Sequence, residues 1–495
     1  MNFDLETSFT FSDDVSSFSG EIEQFILDFS EEIEDKNFSL ENIKINQDVL
    51  SLKLVSTGRL RPHNVLLNLK NKIGRDFGKK HHVGVREIEI ISYEIAFDVE
   101  KKPLNDIDIP FGQVDFEDEK AVLHVKNVDE EFLQHNYIDR MIKRIKEKVE
   151  DQYYEGKEEF WKLIWKSEKK EPIWDKDPTE EMLKQNWLKQ GPTKGKWFFY
   201  PQAATVLKAM EKIAIKEVLQ PLGFQEIVES QVVPFEIWLK TGHMSGMPGE
   251  FYYICEPKTR DPKEWEHFSD LVKITNEVNT DVLKKNVDIP KSGVCYAQCP
   301  LIYWSLQGKT IAEESLPVLL YDKTAVSGRY ESGGRHGIER VDEFHRIEPV
   351  YIGTPDQLRD FRDQLLERYK HVFNNILDLE WRMAWVTPWY MQQAGEHGEI
   401  NQDCGTIDFE SYMPYRGNRS DSEWLEFQNL SIIGDKYIDA FNIKTQKSDL
   451  WSGCSGIGLE RWMTAFLAQK GLNPEGWPKG FKKYLKNLPS GIKFL

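Results

Sequence analysis

Residues 86–99, REIEIISYEIAFDV, alternate apolar and polar side chains. A period of two puts one set on a single face, so the segment predicts a half-buried strand. NQDVLSLKLVS and KAVLHVKNV repeat the pattern and predict further strands. Between the first two lies GRLRPHNVLLNLKNKIGRDFGKKHHVGVR, where Val65, Leu66, Leu69, Ile73 and Phe77 fall at helical spacing. The stretch from Val128 to Lys170 reads as long, helical and charge-mixed. The prolines and alternating charges of 171–178 then read as a linker. A sheet capped by helices over 1–170 is the first domain this predicts.

The rest of the chain, 171–495, changes character. YPQAATVLKAMEKIAIKEVLQPLGFQEIVESQVVP predicts a long amphipathic helix, a Pro-Leu-Gly break and a strand ending at Pro234. Residues 259–292 are polar and helical, the mark of an insertion. Strands recur from Val294, and a helix over 355–377 separates two strand-rich regions. SGCSGIGLERWMTAFLAQ runs from glycines into a helix. The class is α/β in the α+β sense, with no internal repeat or low-complexity tract.

A chain of 495 residues implies about two to four domains. No run of about 18 apolar residues occurs, so no membrane span is expected. The first residues, MNFDLETSFTFSDD, lack a basic segment followed by an apolar one, which makes the expected location cytoplasmic. Five cysteines are too few and too uneven for a disulfide framework; metal binding or burial suits them better. The net charge of −18 does not point to nucleic acid. A nucleic-acid partner would need a local basic face. One exists: Arg59, Arg61, Lys70, Lys72, Arg75, Lys79, Lys80 and Arg86 share their segment with a single acid, Asp76.

The densest chemistry lies in SGRYESGGRHGIERVDEFHRIEPVYIG, residues 327–353. Arg329 and Glu331 fall on one face of an extended segment, a turn with Gly333, Gly334 and Gly337 follows, and Phe344, Arg346 and Glu348 share a face of the returning strand. Such a pair suits a planar base and a polyphosphate, because guanidinium forks bind phosphate oxygens and a phenyl ring stacks on a base. A solvated, salt-bridged hairpin would have the same composition. GCSGIGLERW (453–462) places glycines before Glu460 and Arg461 at a helix start, where an arginine can reach a base or a terminal phosphate. In SEWLEFQNLSIIGDKY, Glu426 precedes Asn429 by three, and a local bulge would let the pair hold Mg²⁺ between phosphates.

Together these segments resemble the class II aminoacyl-tRNA synthetases. Residues 223–234 look like motif 1, Arg329-Tyr330-Glu331 with the 337–344 loop like motif 2, and 453–461 like motif 3, in the family's order. Cys299 in YAQCP, Glu348 after motif 2 and Cys454 in motif 3 resemble the metal set of the zinc-dependent, methanogen-type (type 2) seryl-tRNA synthetases. A threonyl enzyme would have histidines at two of those positions, and no long N-terminal coiled coil is visible. The resemblance implies a class II core with an antiparallel sheet flanked by helices, a tRNA-binding domain over 1–170, and a homodimer built on motif 1. It implies a zinc ion on Cys299, Glu348 and Cys454 with one open position. Catalytic roles fall to Arg329, Glu331 and Arg461. ATP, with Mg²⁺, would be bound by Arg329, Tyr330, Glu331, Arg340, Val341, Phe344, Glu426 and Arg461. Serine would be bound by Ala297, Arg329, Arg346, Ile347, Glu348 and Asn429. The implied partner is tRNA(Ser); charging of tRNA(Sec) is left open. Cys255, Cys295 and Cys404 read as small apolar side chains. An amino acid:carrier-protein ligase on the same core is the alternative.

Overall fold

The computed structural model describes residues 1–492 apart from 34, 154–160, 325, 332–333, 387–403, 421 and 486. The chain forms two compact units, Met1–Lys157 and Glu158–Leu495.

The first unit is built on a six-stranded antiparallel sheet. Asn2–Phe11 lies inside it, paired with Val49–Ser56 on one side and Val85–Asp98 on the other. Its sequence NFDLETSFTF alternates, so Phe3, Leu5, Phe9 and Phe11 all point into the core and are at most 2% exposed. The helix Pro62–Lys72, continued through Ile73–Phe77, buries Val65, Leu66, Leu69, Ile73 and Phe77, the five residues its spacing predicts. Tyr137–Gln152 adds Ile138, Met141, Ile142, Ile145 and Val149 to the same core.

The basic segment differs from its sequence. Arg61 pairs with Asp139, Lys70 with Glu130, Lys72 with Glu32 and Lys80 with Glu21, while Arg75 pairs with its neighbour Asp76. Acids from distant elements fold back onto it, which a count along the segment cannot reveal. Arg59, Lys79 and Arg86 are exposed and make no ion pair among the described residues.

The second unit is organised by a ten-stranded sheet. Its edge strand is Trp161–Lys166, paired with Trp381–Val386. The charge-mixed composition of 128–170 predicts a helical stretch here. The segment's antiparallel pairing with Trp381–Val386 makes it a strand instead, with the half-buried Trp165 ring 4.6 Å from Trp381. Gln225–Glu226 runs parallel to Val318–Asp322, whereas Val232–Pro234 leaves for a separate three-stranded sheet, so the strand expected up to Pro234 is split. Pro262–Thr275 and Thr280–Asn286 are the helices of the 259–292 segment. The helix Pro355–His371 is opened by a capping box of Thr354 and Gln357, which satisfies two orphan donors of its first turn.

Glu343–Gly353 is the strand that positions the site. It pairs with Val318–Asp322, Val326–Gly328, Trp451–Cys454 and Ile457–Gly458. The Tyr351 hydroxyl donates towards the carbonyls of Ser431 and Cys454, at 2.6 and 3.1 Å. Space there is so tight that a Cβ at Gly453 would overlap the Tyr351 ring and the Ser431 carbonyl oxygen. Gly453→Ala is therefore expected to destabilise the second unit by about 1–3 kcal/mol, the usual cost of overpacking. Urea unfolding followed by the fluorescence of the buried tryptophans measures it.

Candidate active site and metal centre

The register of the central strand brings three distant residues together. Glu348 stands two residues before Val350, whose partner is Cys454. Cys299 opens the helix Cys299–Ser305. The ligand atoms of Cys299, Glu348 and Cys454 lie within 4.8 Å of one another, and the residues are 5%, 0% and 7% exposed. Neither oxygen of Glu348 has a hydrogen-bond donor, although Oε2 is in ion-pair contact with Arg346 Nε. A buried carboxylate without donors is costly, and a cation among two thiols and a carboxylate satisfies it. The donor set thus fits a soft-to-borderline divalent metal with one position left open. The hydrogen bond to Cys299 comes first among the effects that hold the Cys454 thiol well above its ordinary range, followed by burial, the Cys299 charge and the Glu348 charge. A metal ion reverses that preference and favours the thiolate.

Arg346 borders this cluster. Burial alone would lower its pKa, but negative charge around it, the Glu348 carboxylate first and the Cys299 and Cys454 sulfurs when ionised, outweighs that and raises it. Its guanidinium lies where a Cβ on Gly456 would sit, so the glycine makes room for it. The Gly456 N–H donates to Asn429 Oδ1 at 3.0 Å, which brings the Asn429 side chain to the same place. Ala297 and Ile347 are buried there at 5% and 0% exposure.

The second half of the site is cationic. The strand ends at Gly328, one step before Arg329, whose N–H still bonds to the Asp342 carbonyl at 2.8 Å in the register of the Gly328–Glu343 pair. Arg329 Nε still lies 3.0 Å from both Glu331 Oε1 and Glu250 Oε2, though at angles too poor for hydrogen bonds, and its guanidinium stands 5.7 Å over the Tyr296 ring. Arg461 donates from Nη1 to Glu426 Oε2 and to its carbonyl, both at 3.0 Å, and from Nε to the Glu339 carbonyl at 3.1 Å. Arg340 reaches Glu423 at 3.7 Å. Phe344 is half-buried, Tyr330 exposed and Val341 buried. The pairing slips by one residue between Glu426 and Gln428, so Glu426 sits at the bulge its spacing required. Of the remaining cysteines, Cys295 is buried and Cys404 half-buried, but Cys255 is exposed and is no core side chain.

Comparison with known proteins settles the family. A tRNA-binding domain family matches residues 1–147. The type-2 serine–tRNA ligase of Methanococcoides burtonii is 46% identical over 444 residues, covering 89% of this chain and 88% of its own. That of Methanothrix thermoacetophila is 40% identical over the full length of both chains. This chain belongs to the type-2 serine–tRNA ligase family. Among solved structures, the crystal structure of M. kandleri SerRS in complex with A. aeolicus tRNASec is similar at 28% identity and a TM-score of 0.89. It covers 100% of this chain and 99% of that one. The cytoplasmic serine–tRNA ligase of Naegleria fowleri shares the fold, with a TM-score of 0.52 at 15% identity.

In this type-2 family member, sequence reasoning missed the carboxylate that holds the motif 2 loop. Asp342 is 2% exposed. It accepts both prongs of the Arg335 guanidinium at 2.8 and 2.9 Å, the Tyr252 hydroxyl at 2.5 Å and the Glu331 N–H at 3.2 Å. Its carbonyl also accepts the Arg329 N–H. The only sequence signal was an aspartate among arginines. Glu250 was missed because it comes from the short 3-10 helix Pro248–Glu250, 79 residues earlier than Arg329.

Burial raises the pKa of Asp342, yet Arg335 and Tyr252 prevail and hold it below the ordinary carboxylate value. Stability from this contact is therefore complete above the ordinary value and lost as pH falls through the lowered one. Asp342→Asn is expected to cost about 1–3 kcal/mol at neutral pH. The gap to the native protein should close in acid, as read by urea unfolding from pH 7 downwards.

Proposed function

We propose that this chain activates L-serine with ATP to seryl-adenylate and transfers the seryl group to the 3′ end of tRNA(Ser). The observation that carries this reading is the buried Cys299–Glu348–Cys454 cluster, whose carboxylate lacks donors, next to Arg346 and within one fold with the paired arginines 329 and 461. Cys299, Glu348 and Cys454 would hold zinc. When bound, the ion supplies a Lewis acid with a fourth position that an α-amine can fill. Arg346, Asn429, Ala297 and Ile347 line the serine side. Arg329 faces the serine carboxylate and the α-phosphate, Glu331 the adenine amino group, and Phe344 the ring, with Tyr330 and Val341 completing the nucleotide site. Arg340 and Arg461 take the outer phosphates, and Glu426 takes Mg²⁺.

The serine carboxylate attacks the α-phosphorus and pyrophosphate leaves. The nucleophile is already an anion, so no side chain needs to remove a proton. Catalysis comes from holding the reactants in line and neutralising charge, which Arg329, Glu331 and Arg461 would do. The 3′-terminal adenosine hydroxyl then accepts the seryl group. The tRNASec complex of the M. kandleri relative makes tRNA(Sec) the second nucleic acid to assay. Exposed Phe198, Val228, Val232 and Leu239, around the motif 1 segment, support a homodimer through that region.

The decisive experiment is serine-dependent pyrophosphate exchange with metal analysis. About one zinc per chain is expected, lost in Cys299→Ala and Cys454→Ala together with exchange. Serine should exceed threonine by at least about tenfold, since excluding one methyl is worth about 1–3 kcal/mol. Equal rates for threonine would defeat the assignment. Preference for glycine or alanine without tRNA charging would favour the carrier-protein ligase, against which the matched tRNA-binding domain speaks.

Arg59, Lys79 and Arg86 are the exposed cations of the basic segment that make no ion pair among the described residues. Replacing all three by alanine should weaken tRNA binding and flatten its salt dependence, by a slope of roughly 1 per lost phosphate contact, with serine activation unchanged. Filter binding across a salt series measures this.

A further inference from the structure

Glu460 is 2% exposed at the start of the helix Leu459–Lys470. A carboxylate so placed needs donors. His345 supplies them: its N–H donates to Oε1 and Oε2 at 3.0 and 2.9 Å, and its ring Nδ1 meets Oε1 at 2.6 Å. His345 lies between Phe344 and Arg346 on the central strand, and Glu460 immediately precedes Arg461. One carboxylate therefore ties the strand carrying the ring and the serine-side arginine to the helix carrying the phosphate-side arginine.

We propose that Glu460 and His345 form a latch of positioning residues that sets the distance between Arg461 and the Phe344–Arg346 pair, and that the latch is strongest with the imidazole protonated. The inference rests on the ATP and serine sites assigned under the proposed function. Neither residue needs to touch a substrate.

The hydrogen bond to Glu460 raises the His345 pKa, against the effect of burial. The other charged groups facing the ring come from the helix Pro201–Ile213, where Lys208 lowers it and Glu211 raises it; the Phe199 ring stands edge-on at 6.3 Å. A folded pKa above the unfolded one means the ionic latch is complete below the ordinary histidine value and is lost as pH rises through the raised one. An imidazolium–carboxylate bond is also stronger than its neutral counterpart.

The test uses the full chain with its metal, and the variants Glu460→Gln and His345→Asn. Each should lower kcat/KM for ATP in pyrophosphate exchange by about tenfold or more, the loss of one charge-assisted hydrogen bond. Metal content should stay the same. The native enzyme should lose kcat/KM as pH rises through the His345 transition, and His345→Asn should lack that step. By histidine NMR, His345 should titrate lower in Glu460→Gln than in the native chain. Values of kcat/KM within twofold of native for both variants would overturn the latch, and so would an unchanged pH step in His345→Asn. If Glu460→Gln loses its metal or fails to fold, His345→Asn decides. The NMR titration judges the latch even if the native chain shows no serine-dependent exchange, an outcome that would sink the proposed function instead.

Discussion

The second unit is arranged around a fully buried carboxylate, Glu348, with no hydrogen-bond donor among the described residues. Removing a carboxylate from water costs several kcal/mol even after relaxation, and a neighbouring cation must offset much of that. Arg346 supplies one cation, two residues away on the same strand face. Two thiols from other elements complete a cluster that could hold a metal ion. The requirement propagates outwards. The strand must be central to bury the carboxylate, Gly453 and Gly456 must be glycines to admit Tyr351 and Arg346, and Cys299 must open a helix that packs against the sheet.

Legibility in the sequence followed distance along the chain. Where a pattern repeats every two residues within one segment, as in Lys120–Val125, burial could be read directly, whereas in Val85–Asp98 a register shift at Ile91 moves the inward-facing set from Ile88 and Ile90 to Tyr93, Ile95 and Phe97. The face shared by Phe344, Arg346 and Glu348 was legible for the same reason, and Arg346 and Glu348 do meet. Asn2–Phe11 alternates equally well, but its serines, threonines and acids masked the apolar set. Trp161–Lys166 was hidden because five of its six residues are exposed, so its lysines and apolar residues mark no buried face. The metal cluster could not be derived from spacing at all: Cys299, Glu348 and Cys454 are separated by 49 and 106 residues, and only a family resemblance placed them together before the sheet register did. Likewise, the basic segment looked unopposed because Glu21, Glu32, Glu130 and Asp139 come from other elements. Local pattern decides element and face; pairing between distant charges is a property of topology.

Charge balance explains a further feature of the site. Its arginines are held by the protein's own carboxylates: Arg329 by Glu250 and Glu331, Arg461 by Glu426, and Arg335 by Asp342. These pairs differ in permanence. Asp342 is 2% exposed and takes four donors, so its bond to Arg335 is part of the framework. The Glu426 and Arg461 side chains are 42% and 29% exposed, and their single bond is screened by water and worth little. On the proposed reading, a polyphosphate with Mg²⁺ separates this second kind of pair. The metal ion draws the carboxylate and the phosphate draws the guanidinium, so each charge exchanges one weak partner for a stronger one. On the same reading, the exposed pair and the carbonyls of Glu339 and Glu426 would hold Arg461 before ATP arrives, and the buried Asp342 framework would leave the exposed pair as the part that exchanges partners.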